Sequence, residues 1–145
     1  MIKSKYSKYL YFRSKADEED DDSMSDSIII PVEAITGILP GDAAGAAVDD
    51  DNRMVIFFET YRKGSMSWAT GDLQHMEQNG AIVLDLTEAG KYKEAMRDLV
   101  EVFNGNPRDK VVIVADDSTI DFDDSTRAAK YASKYISGIH IIKPN

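Results

Sequence analysis

The sequence contains no cysteine, only two histidines and no long apolar run. The absence of cysteine excludes disulfides, thiolate chemistry and cysteine-based zinc sites. His75 and His140 have no second ligand at helical spacing, so we predict neither a zinc site nor a histidine-based nucleophile. The apolar runs, such as residues 28–32 and 111–115, are too short to cross a bilayer. We therefore expect no membrane partner.

The chain also lacks the glycine-rich loops that hold phosphates. No G-x-x-x-x-G-K-[ST] loop is present, and residues 41–47 (GDAAGAA) lack the G-x-G-x-x-G spacing of a dinucleotide site. Basic residues are in the minority, since 17 Lys and Arg against 26 Asp and Glu give a formal net charge of −9. A surface of that sign repels phosphate, so no direct binding to nucleic acid is expected. We also predict no catalytic residues, no cofactor and no enzymatic activity.

What the sequence does contain is a complete reversal of charge near its start. Residues 1–15 carry five basic side chains and no acid, whereas residues 16–26 carry seven acids and no base. This pattern predicts a basic aromatic N-terminal strand or arm (1–15), an acidic linker (16–26) and a globular α+β domain (27–145). A basic block followed by an acidic block indicates that residues 1–15 are positioned against an acidic or β-edge surface, either of their own domain or of a neighbour.

Within the arm, the aromatic residues favour a strand over residues 7–13. Successive side chains of a strand point to opposite faces, which places Tyr9 and Tyr11 on one face and Leu10 and Phe12 on the other.

Apolar runs typical of strands recur along the rest of the chain. The sequence predicts strands at residues 27–32, 34–39, 53–60, 81–86, 110–115 and 139–142. Pro31 cannot donate to a ladder and indicates an edge or a bend. The predicted fold class is therefore α+β: a β-dominated single domain, with one amphipathic helix (88–104) packed on a mixed or antiparallel sheet.

The predicted helix has a regular apolar stripe. Its members are Tyr92, Ala95, Met96, Leu99, Val100 and Phe103. Thr87 is expected to cap the amino end, and Gly105 is expected to end the helix.

The sequence leaves two structures open for residues 125–135. Asp124 can cap a helix there, or residues 131–142 can form one irregular strand interrupted at Gly138. The helix would give the C-terminal part a β-α-β-α-β half-sheet (81–142), which is the alternative fold class.

Five aspartates follow the predicted strand 110–115. They are Asp116, Asp117, Asp121, Asp123 and Asp124. Carboxylates at the end of a strand can hold Mg²⁺ or Ca²⁺, but the glycine and distal glutamate of an EF-hand loop are missing. The simpler interpretation is a solvated turn, so we predict no metal ligand.

The opening residues KYLYFR, the acidic segment and SIIIPVEAITGI resemble the start of small proteins from tailed phages of marine cyanobacteria. Residues 53–59 resemble the aromatic strand of those proteins, and residues 92–102 with 111–117 (VVIVADD) resemble their helix and following strand. Residues 61–80 do not align. The resemblance implies a structural virion protein of the head or tail, possessing no catalytic residues and assembled in the host cytoplasm. Decoration or cementing of the particle is the role it implies.

The expected partners are then further copies of the chain and other virion proteins. The alternative function is an acidic phage effector that binds a host protein by mimicking DNA. The acidic stretches 17–22, 49–51 and 116–124 favour it, and the basic residues 1–15 oppose it. An Mg²⁺-dependent phosphoryl-transfer enzyme is the weakest reading, because phosphate-binding elements are missing.

Overall fold

The computed structural model describes residues 8–14, 26–41, 52–59, 80–105, 111–119 and 126–143. Within these ranges the elements are β1 (Tyr9–Arg13), β2 (Ser27–Pro31), a 3₁₀ turn (Val32–Ala34), β3 (Ile35–Pro40), β4 (Arg53–Phe58), β5 (Gly80–Leu86), α1 (Tyr92–Asn104), β6 (Val111–Asp116), β7 (Lys130–Tyr131) and β8 (Ile136–Lys143). The strands form sheet A, in the order β2-β1-β6-β7, and sheet B, in the order β3-β4-β5-β8. The predicted α+β class is confirmed, and the described residues contain one helix, packed on two sheets where the sequence predicted one.

Strand β1 is an interior strand of sheet A. It pairs antiparallel with β2 and parallel with β6, while β6 pairs antiparallel with β7. Leu10 and Phe12 are fully buried, whereas Tyr9 is exposed, as the alternation predicts. Residues 9–13 thus form a strand of the folded core, because the inward side chains of Leu10 and Phe12 fill the space between the sheets. Residues 16–25 of the predicted linker lie outside the described residues.

Sheet B is antiparallel throughout. β4 pairs with β3 and β5, and β5 pairs with β8, with register shifts in the β3 and β8 pairings. Strands β5 and β6 lie in different sheets, although α1 connects them along the chain. The alternative half-sheet over residues 81–142 is therefore wrong, because β5 takes the late strand β8 as its neighbour and β6 takes the early strand β1.

The inner faces of both sheets and the apolar stripe of α1 enclose one hydrophobic core. Its fully or almost fully buried members are Leu10, Phe12, Ile30, Met54, Ile56, Phe58, Ile82, Leu84, Leu86, Ala95, Leu99, Val114, Ala115, Ile136, Ile139 and Ile142. A second, smaller group on the other face of sheet B contains Val55, Ala81 and Val83. The central strands β4 and β5 are thus buried on both faces, which agrees with their near-continuous apolar sequences.

Helix α1 begins at Tyr92 and not at residue 88. Gly90 has a φ of 77°, a left-handed conformation that ends the preceding turn and cannot continue a helix. Thr87 therefore lies outside the helix, and the N-cap is Lys91, which makes no side-chain capping bond. The end of the helix at Gly105 is as predicted. Val100, assigned to the buried stripe, is 48% exposed instead.

A buried lysine completes the carboxyl end of α1. Lys8 is 5% exposed, and its Nζ donates to the carbonyl oxygen of Val102 at 3.0 Å. The same carbonyl accepts from the Gly105 amide at 3.3 Å, and carbonyls in the last helical turn carry partial negative charge, so an ammonium group stabilises them. The residue before β1 thereby ties the first strand to the helix.

The tail contains no helix between residues 126 and 143. β7 and β8 are two separate strands, so the helix alternative is wrong and the strand alternative is closer. The break between the two strands lies at residues 132–135 and not at Gly138, because Ser133 stabilises a turn before Ile136. Its Oγ donates to Asp98 Oδ2 at 2.7 Å and accepts from the Tyr135 amide at 3.2 Å.

Gly80 provides a test of packing between β4 and β5, where it lies opposite Phe58. A Cβ at Gly80 would overlap the Phe58 ring, whereas a Cβ at Gly37 would meet nothing within 4 Å. We expect Gly80→Ala to lower the free energy of unfolding by about 1–3 kcal/mol. Gly37→Ala, the matched control, should leave it unchanged or raise it by up to about 1 kcal/mol. Urea unfolding measures both, and equal effects would contradict the prediction.

Candidate functional site

The carboxylate cluster at the end of β6 begins with Asp116, which is 3% exposed. Its Oδ2 accepts from Arg127 Nη2 at 2.5 Å, and its Oδ1 accepts from the Ser118 amide at 3.0 Å. The side chains of the ion pair are only 5% and 16% exposed, respectively, for Asp116 and Arg127. The Arg127 amide also donates to the Thr119 carbonyl at 2.7 Å, which holds the arginine segment beside the end of β6.

Asp117 connects the two sheets. Its Oδ1 accepts from the Tyr131 hydroxyl at 2.6 Å, and its Oδ2 accepts from the Ile139 amide at 2.9 Å. Tyr131 is in β7 of sheet A, and Ile139 is in β8 of sheet B. The Asp117 amide donates to the Arg13 carbonyl at 2.9 Å, so the same residue also continues the β1–β6 pairing. Asp117 therefore acts as a hydrogen-bonded link between three strands.

Among the described residues, Asp116 and Asp117 use their carboxylates to hold the fold together. All four carboxylate oxygens of Asp116 and Asp117 accept hydrogen bonds from this chain. Across the described ranges, no three His, Cys, Asp or Glu side chains come together in a way that could hold a metal ion. Asp121, Asp123 and Asp124 lie outside those ranges. The interpretation as a solvated turn is wrong for Asp116, because this carboxylate is buried and paired with Arg127.

Tyr131 makes the stability of the fold sensitive to alkaline pH. Burial raises the pKa of its hydroxyl, and the hydrogen bond to Asp117 and the negative charges of Asp117 and Asp116 raise it further. A tyrosine in the unfolded chain ionises near pH 10. The stabilisation from the neutral folded hydroxyl is thus fully present below that pH and is lost as the pH rises above it.

We expect the free energy of unfolding of the natural chain to fall more steeply between about pH 9 and pH 11 than that of Tyr131→Phe. Denaturant unfolding at several pH values measures the two slopes. Parallel curves for the natural chain and Tyr131→Phe would contradict the assignment.

The outer face of sheet A carries a set of apolar side chains that do not belong to the core. Two rows cross the three strands β2, β1 and β6, and they are Pro31–Tyr9–Val111 and Ile29–Tyr11–Ile113. Tyr9, Ile29 and Val111 are 42%, 52% and 57% exposed. We call these six residues the apolar face. Adjacent exposed apolar side chains are typical of surfaces that bind another protein.

The remaining residues that the sequence analysis singled out are not part of the carboxylate cluster or the apolar face. His140 is exposed on β8, and His75 lies outside the described residues, as do the acidic stretches 17–22 and 49–51. No helix in the described part of the chain is long and apolar enough to cross a membrane.

Sequence reasoning missed the partners of the two aspartates and the role of Lys8. Arg127 was part of a segment open to a helix assignment, and its contact with Asp116 depends on how the tail folds back. The alternation of residues 9–12 did separate the two faces of β1, but it could not indicate which face is covered.

No protein-family model, curated protein or solved structure matches the chain. The functional interpretation therefore depends on the geometry of its own residues and on the sequence resemblance given above.

Proposed function

We propose that the chain is a structural protein of a tailed-phage particle, a head or tail component that acts by self-association and by binding other particle proteins. The observation that carries this proposal is the apolar face of sheet A. Its exposed members, Tyr9, Ile29 and Val111, lie on three adjacent strands, with Tyr9 beside Val111 and Ile29 in the next row. Burying such a group against another protein removes apolar surface from water, which favours association.

The carboxylate cluster supports a structural role for the same chain. Asp116 and Asp117 direct their oxygens to Arg127, Tyr131 and backbone amides, so they strengthen the fold itself. A protein that is repeated in a particle needs only weak individual contacts, because many linked contacts act together. The net charge of −9 keeps single copies apart until such contacts form.

Two measurements test the proposal together. Multi-angle light scattering on the purified chain should show a defined oligomer, and mass spectrometry should detect the chain in purified particles of the phage that encodes it. A chain that is strictly monomeric and missing from those particles would overturn the proposal.

The alternative function, an acidic effector that mimics DNA, has less support from the described residues. Mimicry needs carboxylates that are available along one face, whereas Asp116 and Asp117 are bound within the fold. If the chain were such an effector, it would capture a host nucleic-acid-binding protein in low salt and release it in high salt. Salt-sensitive capture by a chain that is missing from particles would favour this alternative.

A further inference from the structure

The edge strands of the two sheets differ in how they are protected against pairing with another chain. Unprotected edges present unpaired backbone groups, and proteins blunt them with bulges or by keeping them short. In the described sheets, the edge strands β3 and β8 have register shifts, and β7 has only two residues. β2 pairs with β1 over five residues in an unbroken register. β2 is therefore the regular edge among the described strands.

The hydrogen bonds at both ends of β2 show which of its backbone groups point outwards. The Val32 amide donates to the Lys8 carbonyl, and the Ser14 amide donates to the Asp26 carbonyl. In an antiparallel pair the bonding direction alternates from residue to residue. The even-numbered positions of β2 thus face β1, and the amide and carbonyl of Ile29 face away from it. The side chain of Ile29 is 52% exposed.

We propose that two copies of this chain pair through β2, antiparallel, across a two-fold axis at Ile29. The proposal deepens the proposed function, on which it rests, by naming the self-association surface. Each Ile29 amide donates to the Ile29 carbonyl of the other copy, so the two sheets A become one continuous sheet. Pro31 has no amide proton and limits the ladder at one end. Such an interface uses the same patch on both copies, as a two-fold dimer requires.

Charge complementarity identifies a second, antiparallel copy as the occupant of this edge. The basic residues 1–7 lead into β1 at Tyr9, which lies beside Pro31. The acidic run 17–22 belongs to the connection from β1 to β2, which starts at the opposite end of the sheet, beside Arg13 and Ser27. An antiparallel partner brings the basic end of each copy next to the acidic end of the other. A parallel partner would bring like charges together.

The two charged ends are attached far enough apart for this arrangement to matter. A five-residue strand spans about 17 Å, whereas the Debye length at physiological salt is about 8 Å. The basic and acidic segments attached at opposite ends of the β1–β2 pair of one copy are thus largely screened from each other at their attachment points. Paired strands are about 4.8 Å apart, so the start of β1 in one copy lies two strand spacings, about 10 Å, from the start of β2 in the other, which is closer than the two ends of one strand.

Pairing at β2 also extends the apolar face. The two-fold axis of an antiparallel pair is perpendicular to the sheet, so the outer faces of both copies remain on the same side. Ile29 and Tyr11 of one copy then continue directly into the same row of the other. The dimer presents one broad apolar strip, which is available to a further particle protein.

The first test replaces Ile29 with lysine and compares it with Leu39→Lys. Leu39 lies on the edge strand β3 and is 53% exposed, which makes the two changes closely matched in burial. We expect analytical ultracentrifugation to show a dimer for the natural chain and for Leu39→Lys. Ile29→Lys should raise the dimer dissociation constant at least about tenfold, which corresponds to about 1.4 kcal/mol, while its circular dichroism spectrum remains unchanged.

The second test uses the absence of cysteine from the natural chain. Directly opposed residues of a hydrogen-bonded antiparallel pair have Cα atoms about 5.5 Å apart, within the range of a disulfide. Ile29→Cys should therefore give a covalent dimer under mild oxidation, and Leu39→Cys should remain monomeric in a denaturing gel. Equal cross-linking of the two variants would overturn the proposal.

The outcomes separate this interface from the function on which it rests. A natural chain that is monomeric at every concentration overturns the β2 dimer. An oligomer that survives Ile29→Lys also overturns it and leaves the structural particle function standing. The absence of the chain from purified particles counts against the proposed function, whatever the two variants of Ile29 show.

Discussion

Replacing Arg127 with methionine is expected to lower the free energy of unfolding by about 3–5 kcal/mol. Arg127 Nη2 lies 2.5 Å from Asp116 Oδ2, and the Asp116 side chain is only 5% exposed. Without the guanidinium, a carboxylate that is only 5% exposed loses the ion pair that offsets its desolvation. Methionine retains much of the side-chain volume, so the loss reports the charge more than the packing. Chemical denaturation at neutral pH measures the effect.

A more exposed ion pair supplies the control for this prediction. Arg53 Nε and Asp85 Oδ1 are 3.0 Å apart, but their side chains are 27% and 39% exposed. Solvent screens such a pair, so Arg53→Met should cost about 0–1 kcal/mol. Adding Asp116→Asn to Arg127→Met should restore part of the lost stability, because it removes the buried charge. If the two arginine variants are equally stable, the Arg127 prediction is wrong.

Replacing Phe12 with alanine is expected to lower the free energy of unfolding by about 3–5 kcal/mol, because packing in the core is lost. Phe12 is 0% exposed and lies on an interior strand between β2 and β6. The alanine leaves a cavity that the surrounding strands cannot close without disturbing both pairings. Since small proteins have only about 5–15 kcal/mol of net stability, this change should lower the midpoint of urea unfolding markedly.

Tyr9→Ala is the matched control, because it removes an aromatic side chain from the same strand but from the exposed face. We expect it to lower the free energy of unfolding by no more than about 1 kcal/mol.

Deleting residues 1–15 should unfold sheet A, because the interior strand β1 is lost with them. If the shortened chain keeps its circular dichroism spectrum and its cooperative unfolding, the central position of β1 is contradicted.

Local patterns in the sequence were sufficient for most of the elements. The apolar runs that became β4 and β5 and the stripe of Tyr92, Leu99 and Phe103 predicted their own secondary structure, because burial imposes a period on the sequence. The start of α1 was misplaced by four residues since Thr87 and Glu88 resemble a helix start. The left-handed backbone at Gly90 overrides that local signal.

Pairings between distant residues could not be predicted in the same way. Nothing near β1 indicates that β6 lies beside it, and nothing near Asp116 indicates Arg127 as its partner. The tail was ambiguous for the same physical reason. Tyr131 and Tyr135 have helical spacing, but the hydrogen bonds from Tyr131 to Asp117 and from Ser133 to Asp98 favour strands and a turn. Donors from the backbone, such as the Ile139 amide, leave no trace in side-chain patterns.

The parallel pairing of β1 with β6 also sets an order on folding. Tyr9 lies opposite Val111, so sheet A cannot close until most of the chain has left the ribosome. At about 5–20 residues per second, β1 waits for β6 for roughly 5–20 s. Of its two neighbours in the described sheet, β2 is the one already synthesised, and a lone hairpin is marginally stable. The acidic run 17–22 follows β1 in the sequence, and charges that flank an aromatic strand oppose its aggregation.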